Sequence, residues 1–152
     1  YYKGEDIMKF KKLLSTVMAM TIVSAIGANA FALDKSVTVY KNIVNNEFYT
    51  GMGAHSAKAF SNGIVVNNNT DLKLERVKTK KIYVGIFGGN IYELTLQGQK
   101  GTLDGYEFDF TGTNVTPTNL ANTSRKYYSG QAKIKVVGIP HGEKHVDLEI
   151  NN

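Results

Sequence analysis

Apolar and polar residues alternate with period two through most of the chain, which is the signature of half-buried β-strands. Val37 and Val39 face one way, with Ser36, Thr38 and Tyr40 opposite. Leu72, Leu74 and Arg76 alternate with Lys73, Glu75 and Val77, and Ile82, Val84 and Ile86 point opposite to Tyr83 and Phe87. Tyr92, Leu94 and Leu96 are set against Ile91, Glu93 and Thr95. The clearest alternation is Tyr106, Phe108 and Phe110 on one face, with Glu107 and Asp109 on the solvent side. Two late strands follow, carrying Ala132, Ile134 and Val136, then Val146, Leu148 and Ile150. Shorter strands are expected near Glu47–Met52, Lys58–Phe60 and Gly63–Asn67.

Turn clusters separate these runs at 67–70, 97–102 and 138–142. Gly88-Gly89 tolerates positive φ and suits a tight hairpin turn. The polar segment from Gly112 to Lys126 contains Thr116-Pro117 and is long for a hairpin loop. It is expected to cross between sheets or to carry function, with Thr118 capping a helical turn over Asn119–Asn122. About eight short strands at this spacing predict an all-β, antiparallel, immunoglobulin-like sandwich, with a small barrel as the second choice.

The N-terminal part reads differently. From Met8 the chain runs Lys9-Phe10-Lys11-Lys12, an apolar stretch from Leu13 to Ile26, and then Ala28-Asn29-Ala30-Phe31-Ala32. A basic start, a short apolar run and a small-x-small exit are the parts of a secretory signal peptide. Cleavage is expected after Ala32 or Ala30. Residues 1–7 fit no such template, and Lys3-Gly4-Glu5 can be encoded by a purine-rich ribosome-binding sequence. They read as leader translated ahead of the natural start. The expected organisation is therefore 1–7 leader, 8–32 signal peptide and 33–152 a single secreted or cell-surface β domain. The apolar run is short for a bilayer span, so no integral membrane anchor is expected.

Removing residues 1–32 changes the charge. The chain has 18 Lys+Arg and 13 Asp+Glu, and loss of Lys3, Lys9, Lys11, Lys12, Glu5 and Asp6 leaves 14 and 11, a net +3. That balance is a weak basis for nucleic-acid binding, and none is expected. There is no cysteine, which excludes disulfides, a thiol nucleophile and a Cys-based metal site.

Candidate chemistry is sparse. His141-Gly142-Glu143-Lys144-His145 brings two imidazoles and a carboxylate together, but Pro140 and Gly142 place them in a turn entering a strand. The helical His-Glu-x-x-His arrangement is absent, so no metal and no cofactor are expected. No Ser stands in a nucleophile elbow, and no catalytic residues are assigned. Lys78-Thr79-Lys80-Lys81 reads as a solvated hairpin connection. The rings of Tyr83, Tyr92 and Phe108 are the candidate ligand-binding residues, as the mouth of an apolar or glycan site.

Two segments together resemble the subunits of chaperone–usher fimbriae, especially the cysteine-free alternate class. One is Leu33-Asp34-Lys35-Ser36-Val37-Thr38-Val39 directly after the signal peptide. The other is Tyr127-Tyr128-Ser129-Gly130 leading into Gln131–Val136. The resemblance implies an incomplete sandwich in which the N-terminal strand, through Val37 and Val39, completes a neighbouring copy or another surface protein by strand addition. The chain departs from that pattern by continuing to a further strand at Lys144–Ile150. Three expectations follow: an exported interaction or surface-structural domain of fimbrial type, a soluble secreted binding protein for a small apolar ligand or glycan, or a secreted antibacterial polypeptide.

Overall fold

A computed structural model describes residues 32–67 and 71–152. The signal peptide and leader expected within residues 1–31 lie outside the described residues, as does most of the turn cluster at 67–70. In chain order the elements are β1 (Ala32–Lys35), β2 (Val37–Tyr40), α1 (Gly53–Lys58), β3 (Ile64–Asn67), β4 (Leu74–Lys78), β5 (Ile82–Val84), β6 (Phe87–Leu96), β7 (Gln99–Lys100), β8 (Thr102–Asp104), β9 (Glu107–Asp109), β10 (Thr118–Asn119), β11 (Lys126–Val136) and β12 (Ile139–Ile150). The all-β sandwich is present. One sheet has the order β1-β3-β4-β9-β8 and the other β2-β12-β11-β6-β5, with β10 beside β11 and β7 beside β6. Every pairing is antiparallel. The count exceeds the expected eight because several strands are only two or three residues long.

Both open sides of the sandwich are bridged by a segment that changes sheet. β1 pairs with β3, and after the single residue Ser36 the chain continues as β2 and pairs with β12. Ser36 is held at this corner by the Asn151 amide, which donates to its carbonyl at 3.0 Å. On the other side β7 pairs with β6 and β8 with β9, and the Gly101 amide between them donates to the Leu94 carbonyl at 2.9 Å.

The core lies between the sheets. Leu74, Val77, Phe108 and Phe110 of one sheet meet Ile91, Leu94, Leu96 and Leu148 of the other, all fully buried. Each such side chain contributes roughly 1.5–3 kcal/mol relative to exposure. Tyr128 is also fully buried, and its hydroxyl donates to the Leu72 carbonyl at 2.5 Å, so its one polar atom is satisfied.

Several expectations are corrected. Gly88 and Gly89 are not a turn; they lie inside β6. A Cβ on Gly89 would stand 2.6 Å from the Lys135 carbonyl oxygen, so the glycine marks close approach of two backbones. The hairpin turn is Gly85-Ile86, closed by the Val84–Phe87 pair. In β6 the register slips at Tyr92, since Glu93 pairs with Lys133 and Ile91 with Ile134. This bulge adds one residue and turns Ile91, rather than Tyr92, into the core.

The strands expected at Glu47–Met52 and Lys58–Phe60 are replaced by a loop and by α1, because Ala59 and Phe60 are buried together behind the helix and not in alternation. Lys78–Lys81 is no hairpin: it carries the chain from β4 in one sheet to β5 in the other. The helical turn expected at Asn119–Asn122 is replaced by β10, whose Thr118 hydroxyl accepts a hydrogen bond from Gln97 Nε2 at 2.9 Å, and by a turn back into β11. The segment does cross between the sheets.

The last hairpin turns at Val137-Gly138, not over 138–142. Both residues have positive φ, 52° and 77°, as a two-residue turn matching strand twist requires. A β-branched residue is strained there. Val137→Asn should therefore raise stability by about 1 kcal/mol. A higher urea midpoint with unchanged slope is the expected reading, and an unchanged or lower midpoint contradicts it.

Candidate functional site: an apolar trough at one end of the sandwich

The β5–β6 turn, the β11–β12 turn and α1 lie at the same end of the molecule. Between them is a trough of about 450 Å³, within the ~300–1,000 Å³ range of small-molecule sites. Its walls are aliphatic and aromatic: Ile82, Val84, Phe87, Ile134 and Val136. Met52, Val137 and Ile139 form its lips and remain exposed, at 70%, 61% and 62%. Ile86, at the tip of the adjoining turn, is 88% exposed. Scattered exposed apolar side chains are ordinary, but a cluster of turn-tip residues around a concavity is not.

Local structure explains how these residues meet. Tyr49 packs under α1 so closely that a Cβ on Gly53 would stand 3.0 Å from its ring. The Tyr49 hydroxyl donates to the His145 carbonyl and so fastens the helix to β12. Burial raises the Tyr49 pKa, with the Asp147 charge adding to the effect. Lys144 lies over the Tyr49 ring at 5.9 Å, which places its ammonium group at the trough wall.

A bulge in β12 sorts the histidine cluster. Glu143 pairs with Lys133 but Pro140 pairs with Lys135, leaving one extra residue in β12, where Gly142 has φ 89°. The parity of the strand flips there. His141 and Lys144 line the trough. His145 instead contacts Asp147 on the other face, Nε2 to Oδ1 at 2.8 Å. The two imidazoles are thus separated, and among the described residues no group of three His, Cys, Asp or Glu is placed to hold a metal.

His145, Asp147 and Ser129 form a compact polar cluster. Ser129 Oγ donates to Asp147 Oδ1 at 2.6 Å, and the Ile43 amide donates to Oδ2 at 2.8 Å. The imidazole nitrogen near Ser129, at 3.4 Å, is the same Nε2 that meets Asp147. A nucleophilic triad needs the base to use one nitrogen toward the serine and the other toward the carboxylate. This cluster instead ties the 41–50 loop over a carboxylate that is only 3% exposed.

A second cluster joins Arg125, Glu149 and Tyr40. The guanidinium donates to Glu149 at 2.7 and 3.1 Å and to the Tyr40 hydroxyl at 3.0 Å. Arg125 holds the Glu149 carboxyl below its ordinary 4.5, against the opposing effect of burial, with a further hydrogen bond from Tyr40. A lowered folded-state pKa contributes stability above the unfolded value, and that contribution is lost as pH falls through the folded value. Stability should decline below about pH 4.5, and Arg125→Met should flatten this part of the pH–stability curve. An identical acid limb in the variant contradicts the assignment.

The three rings expected to form one ligand mouth are not brought together. Phe108 is fully buried in the core beside Val77 and Leu103. Tyr92 is half-buried at the β6 bulge, with Lys135 5.4 Å from its ring. Tyr83 is exposed on β5 and lines a second recess of about 370 Å³ with His55, Lys58, Lys80, Lys81 and Ile82. Val37 and Val39 pair within the chain, with Ile150 and Leu148. Sequence reasoning missed Met52, Ile134 and Ile139 as wall and lip residues. For the rim the available signal was an unusual setting: Ile86, Val137 and Ile139 are bulky apolar residues at or beside glycine turns, where polar residues are usual; Ile134, inside β11, carried no such signal.

Comparison of the chain with protein-family models, with curated proteins and with solved structures finds no match. The functional reading therefore rests on geometry and chemistry.

Proposed function

We propose that the chain is an exported, non-enzymatic binding domain that takes an apolar molecule in the trough between α1 and the β11–β12 hairpin. Export rests on the signal-peptide pattern at Met8–Ala32. The observation that carries the binding reading is the trough itself: about 450 Å³ walled by Ile82, Val84, Phe87, Ile134 and Val136, with apolar lips left in solvent. Leaving such surface exposed is unfavourable by about 25 cal/mol per Å², and covering it with a ligand recovers that free energy. Strand donation to a second copy has weaker support, because β1 and β2 already pair with β3 and β12 of their own chain.

The test is titration with Nile red, an uncharged apolar dye, against the protein and a Val84→Trp variant that fills the trough. Saturable binding should weaken at least tenfold in the variant while thermal melting stays close to the parent. Absence of dye binding, or equal binding by the variant, would overturn the proposal.

A further inference from the structure

The trough opens toward a region of opposite chemistry. It shares His55 and Ile82 with the second recess, whose other lining residues are Lys58, Lys80, Lys81 and Tyr83. Local contacts fix this basic wall. The Lys80 amide donates to the Ala59 carbonyl at 3.0 Å, holding the strand connection against the end of α1. Lys81 lies 5.5 Å from the Tyr83 ring. Lys144 and His141 add basic groups on the trough side. Among the described residues no carboxylate lines either space. Glu143, the acidic residue of the same hairpin nearest its turn, pairs in register with Lys133 instead.

We infer that the ligand is a single-chain acyl anion, with its hydrocarbon chain in the trough and its carboxylate in the lysine-lined recess. This rests on the binding reading above and names its ligand class. The larger part of the wall, Ile82, Val84, Phe87, Ile134 and Val136, offers no side-chain hydrogen bonds; the polar groups of the lining are His55, Ser56, His141 and Lys144, so most of the trough has nothing with which to read a sugar or a nucleobase. The body of the ligand is therefore hydrocarbon. Charge complementarity selects the head: an anion gains from several ammonium groups in one recess, and a cation is repelled.

The experiment is calorimetric titration of the protein with monomeric fatty acids from decanoate to octadecanoate, with 1-hexadecanol, Nile red and phosphatidylglycerol vesicles as comparison probes. Affinity for the acids should rise about fourfold per added methylene until the trough is full. Hexadecanoate should bind at least tenfold tighter than hexadecanol. The paired Lys80→Gln and Lys81→Gln substitutions should remove that difference while leaving Nile red binding unchanged, and Lys126→Gln on β11 should leave both unchanged. Equal binding of acid and alcohol, indifferent to the lysine substitutions, would overturn the inference and leave the apolar-binding reading standing. Failure of both Nile red and the acids would overturn both. Binding to vesicles that depends on Ile86, without binding of monomeric acid, would overturn the inference in favour of a membrane surface.

Discussion

Replacing Gly130 with alanine is expected to cost about 3 kcal/mol or more, enough to unfold a domain of ordinary stability under mild stress. Gly130 sits inside β11, paired with Leu96 of β6 on one side and with Val146 of β12 on the other. A Cβ there would stand 1.8 Å from the Thr95 carbonyl oxygen. That atom belongs to backbone in the middle of the larger sheet, so no side chain can swing aside to relieve the clash. β6 and β11 would have to separate, and their ladder hydrogen bonds would be lost with the contact. Urea denaturation followed by circular dichroism measures this directly. A midpoint equal to the parent's would mean that β6 and β11 do not approach as described.

Phe108→Ala is expected to cost about 3–5 kcal/mol, while ligand binding by the protein that remains folded is unchanged. The Phe108 ring has no solvent exposure and lies in the core with Val77, Phe110 and Leu94. Its removal leaves a cavity between the sheets. Tyr83→Ala, by contrast, removes a ring that is 57% exposed and should change stability by less than about 0.5 kcal/mol. The pair separates core from mouth for two residues whose sequence settings look alike. A small effect at Phe108, or loss of Nile red affinity without loss of stability, would return it to the ligand site.

That pair also shows what the sequence could convey. Alternation at Tyr106, Phe108 and Phe110 marks a strand with one buried face, and β9 occupies that place with Phe108 inside and Phe110 buried just past its end, whereas Tyr106 lies in the preceding turn and is 44% exposed. Alternation at Val146, Leu148 and Ile150 is likewise legible, because β12 runs there without interruption. It fails where a strand gains a residue. The bulge at Tyr92 turns Ile91 inward, and the bulge after Pro140 sends His141 and His145 to opposite faces. Period two cannot reveal these positions, since the extra residue is defined only by the partner strand.

The corners at Ser36 and Gly101 are hidden for a related reason: each strand continues, but its partner changes. The candidate site is the least legible part. Its walls come from α1, β5, the start of β6 and the β11–β12 hairpin, far apart in the chain, and no short motif joins them. The segments that suggest fimbrial subunits, Leu33–Val39 and Tyr127–Val136, fall on β1–β2 and on β11. Neither contributes to recognising the trough as a site, although Ile134 and Val136 at the end of β11 form part of its wall.

The most direct test of the account is methyl-resolved NMR of the protein titrated with Nile red. Shift changes should be confined to the methyl groups of Met52, Ile82, Val84, Ile134, Val136, Val137 and Ile139. The methyl groups of Val37 and Val39, along the β2 edge, should be unaffected. Changes centred on Val37 and Val39, or an absence of change at the trough, would contradict the claim that this end of the sandwich is where the protein binds.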